Sequence, residues 1–242
     1  MITSRQNPLV KKIKSLTDKK NRDQLGLFVV EGVKNVAEAI KSGFIVEQVV
    51  GTEEGLEKLD VNGVAVETVS QSVFDAISSD VSPQGVLALV VKPIVKNVAP
   101  TDSCLFLDGV SDPANVGAII RTAAASGYKE VYIANGADAF NSKAVRASMG
   151  GIFRVKVISG DREELAKVIP YPIIVADMDG ENAFDFKPNG KFCLAIGNEA
   201  NGVSEFINSK RAKTVSIPMD NGMESLNAAV SAGILMYQLK KR

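Results

Sequence analysis

The chain has 242 residues, 45% of them hydrophobic and 23% charged, which is enough apolar material for one larger core or two smaller ones and argues against disorder. It contains no histidine and no CxxC pair, and this excludes zinc sites of the usual Cys/His kind, Ser-His-Asp triads and a histidine general base. The formal net charge is zero, so nucleic-acid binding through an overall positive charge is excluded, although a local basic face is not.

Such a face is indicated at the start, where residues 1–22 carry Arg5, Lys11, Lys12, Lys14, Lys19, Lys20 and Arg22 against Asp18 alone. From residue 7 to 22 apolar and basic positions alternate at helical spacing, with Leu9, Ile13 and Leu16 on one side. The bland reading of this stretch is a solvated helix. Strands are predicted at 27–30, 45–50, 64–69 and 85–91, with a helix at 32–42 and a short one after Ser70. Together these form a small α/β module over 1–92. Two prolines among mixed polar residues mark 93–101 as a linker.

In 102–242 strands (103–108, 130–134, 154–158, 172–177, 192–196, 213–217) alternate with helices (114–126, 142–149, 161–168, 203–209, 225–239). This α/β pattern predicts a mostly parallel sheet with helices on both faces. Cys104 and Cys193 fall in apolar strands, and buried free thiols fit a reducing compartment. With no apolar signal core and no run of membrane-spanning length, a cytoplasmic protein without membrane contact is expected.

Three segments sit at carboxyl ends of predicted strands, where α/β sheets place their ligands. In LDGVSDPANVGAIIRT (107–122), Asp112-Pro113 starts a helix whose buried stripe is Val116, Ile119, Ile120 and Ala123. Arg121 then faces outward, and Asn115 lies near the unpaired N–H groups of the helix start. A capping Asn and a solvated Arg would explain the same pattern. In LAIGNEANGVS (194–204), a glycine-bounded loop holds Glu199. The Lys-Ser/Thr pair of a P-loop and the GxGxxG fingerprint are both missing, which counts against nucleotide-phosphate and ordinary Rossmann-like enzymes. In VSIPMDNGMESLNAAVSAGIL (215–235), Ser225 is the expected N-cap of a last helix that is apolar nearly all round. Such a helix is buried on more than one side, in a core or at a subunit interface.

Taken in order, these three segments resemble the signature motifs of the SpoU (TrmH) family in the SPOUT superfamily. The likeness continues through RASMGGIF (146–153), and the first half resembles the small RNA-binding module often fused ahead of this domain, through VEGV (30–33) and SPQG (82–85). The resemblance implies a methyltransferase domain with a C-terminal trefoil knot, working as a homodimer for which the last helix offers an interface. It implies transfer of a methyl group from S-adenosylmethionine to a ribose 2′-hydroxyl of RNA, with ribosomal RNA favoured by the fused module. Gly197, Asn198, Ile217, Met219 and Leu226 are expected to line the S-adenosylmethionine site. Asn115, Arg121, Glu199, Ser225 and Asn227 are expected to form the catalytic site, the other four orienting Arg121 and the ribose. No metal is expected. Arg5, Lys11, Lys12 and Lys14, with Arg121, are the expected RNA contacts. An arginine is effectively always charged, so Arg121 is assigned to a substrate phosphate or the developing alkoxide, not to a general base. The alternatives are a transfer-RNA methyltransferase and a non-catalytic RNA-binding ribosome assembly factor.

Overall fold

A computed structural model of the protein describes residues 1–96, 98–223 and 225–240. The first part of the chain forms α1 (Pro8–Ser15), α2 (Lys19–Leu25), β1 (Leu27–Glu31), α3 (Val33–Lys41), β2 (Val46–Gly51), α4 (Glu53–Glu57), β3 (Val66–Thr68), α5 (Gln71–Ile77) and β4 (Val86–Val91). Its strands make a four-stranded sheet in the order β1-β4-β2-β3, in which β4 runs antiparallel to both neighbours. One basic helix was expected over 7–22, and the chain instead makes two. The Asn7 side chain accepts from Leu9 N–H to start α1, and Asp18 accepts from Lys20 N–H to start α2. Asp18 is a good N-cap, and capping there interrupts the helix that periodicity alone would continue.

The second part forms β5 (Cys104–Asp108), α6 (Pro113–Ser126), β6 (Glu130–Ala134), α7 (Ser142–Ser148), β7 (Lys156–Gly160), α8 (Arg162–Lys167), β8 (Ile173–Asn182), β9 (Cys193–Gly197), α9 (Glu205–Ser209), β10 (Arg211–Ser216) and α10 (Ala228–Leu239). Its six strands run in the order β10-β8-β9-β5-β6-β7, and every neighbouring pair is parallel. Side chains alternate between the two faces. Leu105, Leu107, Val131, Ile133, Leu194 and Ile196 point to one side, in a core with Val116, Ile119 and Ile120 of α6 and Ala232 and Leu235 of α10. Cys104, Phe106, Tyr132, Cys193 and Ala195 point to the other, against Leu165 of α8 and Ile207 of α9.

The first of these cores continues into the N-terminal sheet, taking in Phe28, Val30, Val36, Val49 and Ala88. Phe28 stacks on Phe140 with centroids 5.0 Å apart, and Phe44 meets Phe153 edge-on at 5.1 Å. Arg22 is almost wholly buried. It pairs with Asp138 at 2.8 Å and donates to the carbonyls of Leu16 and Thr17, which close α1. A residue counted toward the basic face is therefore an internal clamp. Between the two sheets, the Tyr132 hydroxyl donates to Val98 O (2.6 Å) and the Tyr171 hydroxyl to Pro100 O (3.1 Å), fastening that stretch to the second sheet. At the other end Lys240 donates to Gly127 O at the end of α6, while Lys241 and Arg242 lie outside the described residues.

Candidate active site

The carboxyl ends of β8, β9 and β10, with the first turns of α10, surround a cleft of about 150 Å³. Gly197, Asn198, Ile217, Met219 and Leu226 all line it, as do Glu199 and Ser225. Local chemistry explains why the chain makes this cleft. A Cβ on Gly197 would lie 2.1 Å from the carbonyl carbon of Gly202, so only glycine lets the returning loop pass this close. Gly202 itself has φ +66°, and it exchanges two 2.9 Å backbone hydrogen bonds with Asn198. The Asn198 side-chain Oδ1 accepts from the N–H groups of Ala200 and Asn201, while its Nδ2 donates to Gly109 O at 3.0 Å. Asn198 therefore shapes the 198–202 loop and ties it to the end of β5.

A chain of side-chain hydrogen bonds runs along the rim. Asn115 donates to Glu199 Oε1 at 2.7 Å, Asn227 donates to Asn115 Oδ1 at 3.0 Å, and Asn227 Oδ1 accepts from Ala229 N–H at 2.9 Å and Val230 N–H at 3.3 Å. An ionised carboxylate only accepts, so Glu199 fixes the amide orientation of Asn115, and Asn115 in turn fixes that of Asn227. The N-cap of α10 is thus Asn227, not Ser225 as the sequence suggested. The extra two residues leave Ser225 exposed on the cleft wall. Capping does not account for Asn115, because Asp112 caps α6 by accepting from Ala114 N–H at 3.0 Å. The hydrogen bond from Lys143 holds the Asp112 carboxyl below the usual carboxylate range, and the Ala114 N–H adds to this.

Arg121 is exposed, as its helical position predicted. Its helix position puts it about 9 Å farther along the α6 axis than Asn115. It does not line the cleft, and among the described residues it has no hydrogen bond or ion pair, so nothing in this chain joins it to the Asn115–Glu199–Asn227 series. Its backbone is packed under the turn after α7. A Cβ on Gly151 would come within 2.9 Å of Arg121 Cα, and Gly150 has φ +83°, which together account for the paired glycines of RASMGGIF. Arg5, Lys11 and Lys14 are exposed and lie away from the cleft wall, and Lys12 is paired with Glu47. The neighbouring Glu224 lies outside the described residues.

Sequence reasoning missed Asp177, Met178 and Ser231, which also line the cleft. Asp177 could have been found, since it lies at the carboxyl end of the strand predicted at 172–177. Ser231 could not, because it faces the cleft only through the placement of α10. Cys104 and Cys193 sit opposite each other in β5 and β9, free and buried. The hydrogen bond with Cys104 and burial push the Cys193 thiol well up, which makes it a core residue and not a nucleophile.

The cleft suits S-adenosylmethionine. Ile196, Ile217, Leu226 and Leu235 offer apolar walls for an adenine ring, the glycine-bounded loop exposes backbone, and Asp177 offers a carboxylate to a cationic, hydroxyl-bearing ligand. No cluster of three or more potential metal-ligating side chains occurs among the described residues, and no helix there is long and apolar enough to cross a membrane.

Comparison with known proteins identifies the family. Residues 102–237 match the model of the SpoU rRNA methylase family, and residues 7–88 match that of the MRM3-like substrate binding domain. The chain is 32% identical, over 99% of its length and 98% of the relative's, to the 23S rRNA (guanosine(2553)-2′-O)-methyltransferase RlmP of Bacillus subtilis. Among solved structures it is similar to the AdoMet-bound rRNA methyltransferase from Sinorhizobium meliloti, with TM-score 0.87, 27% identity and coverage of 98% of this chain and 95% of that one. It is also similar to an RNA 2′-O ribose methyltransferase, with TM-score 0.83, 27% identity and coverage of 98% and 96%. With one family model spanning more than half of its length and a full-length relative above 30% identity, the chain belongs to the SpoU rRNA methylase family.

Proposed function

We propose that this protein transfers a methyl group from S-adenosylmethionine to a ribose 2′-hydroxyl of ribosomal RNA, in the cytoplasm and as a homodimer. The observation that carries this reading is the convergence at one cleft: the five expected donor-binding residues line it, and the Glu199–Asn115–Asn227 series borders it. The sulfonium donor brings a methyl group already activated for transfer. What the chain must do is align the hydroxyl with it, exclude water and accept developing negative charge.

Asn115 and Asn227 have fixed amide orientations at the rim and are suited to hold a ribose. Asn198 keeps the loop in shape, and Ser225 adds a hydroxyl to the wall. Arg121 holds a substrate phosphate or steadies the alkoxide, and the proton leaves through phosphate or water. The proposed dimer brings a partner to the open side of α10, where Val230 is 50% and Tyr237 49% exposed. Within the chain, Gly233 of α10 lies against Thr122, the residue next to Arg121. The trefoil knot of the family is proposed for the segment carrying the 198–202 loop and the chain that follows β10.

The test is methyl transfer from labelled S-adenosylmethionine to ribosomal RNA of a strain lacking this protein, followed by mapping of the labelled nucleotide. A single 2′-O-methylated position, recognised by resistance of its phosphodiester to alkali, is the expected result. Label in transfer RNA alone would move the substrate to that class, and absence of both label and donor binding would leave a non-catalytic RNA-binding protein. Arg121→Lys keeps the charge but loses the planar fork. We expect it to lower turnover and RNA affinity while leaving donor affinity unchanged, and full retention of both would rule out bidentate phosphate binding.

A further inference from the structure

The basic residues that the sequence offered for RNA are partly spent within the fold. Arg22 is buried against Asp138, Lys12 pairs with Glu47, and Lys19 pairs with Asp23. A second group of lysines, not conspicuous in the sequence, is brought together on the opposite part of the N-terminal unit. Between α3 and the end of α4 runs a groove whose floor includes Ala37, Ile40 and Leu59 and whose sides carry Lys34, Lys41 and Lys58. Lys34 and Lys41 are seven positions apart on α3, so they stand on one face of the helix, two turns from each other. Both are exposed, and neither has an ion-pair partner among the described residues. Lys58 shares its charge with Glu54, and Asp60 adds a carboxylate to the groove wall.

The groove is also connected to the active unit. One helical turn beyond Lys34, Glu38 receives Arg154 at 2.7 Å and packs on Gly150. The next residue, Gly151, lies against the backbone of Arg121. These contacts link α3, which carries the groove lysines, through the turn after α7 to the backbone of α6. Cationic walls spaced two helical turns apart over an apolar floor suit an RNA strand, with phosphates on the lysines and a base or ribose on the floor.

We propose that this groove binds the phosphodiester backbone of the substrate RNA and is the main RNA-anchoring surface of the N-terminal unit, in place of α1. This rests on the RNA methyltransferase reading above and specifies where its substrate is held. Binding would be set by charge and shape, not by base sequence.

The test compares Lys34→Ala/Lys41→Ala with Lys11→Ala/Lys14→Ala in the full-length protein, using an unmodified 23S ribosomal RNA transcript across a salt series. If the groove is the anchor, its double variant flattens the log–log salt dependence of binding by about 1.5, two contacts at about 0.7–0.9 each. It also raises KM for RNA, with kcat at saturating RNA and S-adenosylmethionine affinity unchanged. The α1 variant then has the smaller effect. An unchanged slope in the groove variant, or a loss confined to the α1 variant, would overturn the proposal while leaving the enzymatic reading intact. Absence of methyl transfer to any RNA by the unaltered protein, with donor binding retained and the predicted groove-dependent slope present, would overturn the enzymatic reading and keep the groove. Absence of RNA binding altogether would overturn the groove.

Discussion

At the scale of single residues, the rim series works through direction. Glu199 accepts, Asn115 donates to it and accepts from Asn227, and Asn227 accepts from the start of α10. Asn115→Asp is nearly isosteric but sets one carboxylate against another and removes the donor. We expect kcat to fall by about 100-fold, the scale of a displaced catalytic group, with S-adenosylmethionine affinity unchanged in a direct binding titration. Asp112, one helical turn away, offers a pH test. Its folded-state pKa is lowered, chiefly by Lys143 and then by Ala114 N–H, so the stability it contributes is present above the unfolded carboxylate pKa and is lost as pH falls through the folded value. Asn at 112 keeps the cap but not the charge. The denaturation midpoints of Asp112→Asn and the unaltered protein should differ near neutral pH and converge in acid, below the usual carboxylate range.

At the scale of elements, α10 is the informative case. Ala228, Ala232, Leu235, Met236 and Leu239 form its buried stripe, while Val230 and Tyr237 stand half exposed. An apolar helix with one open side matches the proposed dimer. Val230→Glu should shift the protein toward monomer in sedimentation at micromolar concentration without loss of helix content. A monomeric unaltered protein would remove the proposal. The sequence left a core and a subunit interface open for α10, because composition shows how much of a helix is apolar but not which neighbours cover it; within one chain a single stripe is covered. The second-half strands and helices were otherwise legible, since period-two apolar runs and capping signals are local. The break between α1 and α2 was less so, because the basic and apolar spacing runs straight through Asp18.

At the scale of the whole molecule, the two sheets share a core, and Arg22–Asp138 is a buried ion pair between them. Arg22→Met would leave Asp138 buried without its partner, which costs about 3–5 kcal/mol. The double variant Arg22→Met/Asp138→Leu should recover most of that loss. Because the apolar core is continuous, we expect a single unfolding transition by circular dichroism and fluorescence, and two separated transitions would show that the sheets fold independently.

The sequence by itself determined the order and type of nearly all elements, the parallel character of the second sheet, and the glycines and amides of the cleft. These follow from local periodicity, capping and steric need, and of the residues the motif resemblance named, Gly197, Asn198, Glu199, Ile217, Met219, Ser225 and Leu226 line the cleft. Only the tertiary structure decided which charges remain free. Arg22, Lys12 and Lys92 look like Lys34 and Lys41 in the sequence, yet Arg22 is paired in the interior and Lys12 and Lys92 at the surface, while Lys34 and Lys41 have no ion-pair partner among the described residues. It also decided that Asp177 and Ser231 face the cleft and that Arg121 stands apart from it. An ion pair or a cleft wall joins residues tens of positions apart, and no local spacing encodes which distant partner a side chain will meet.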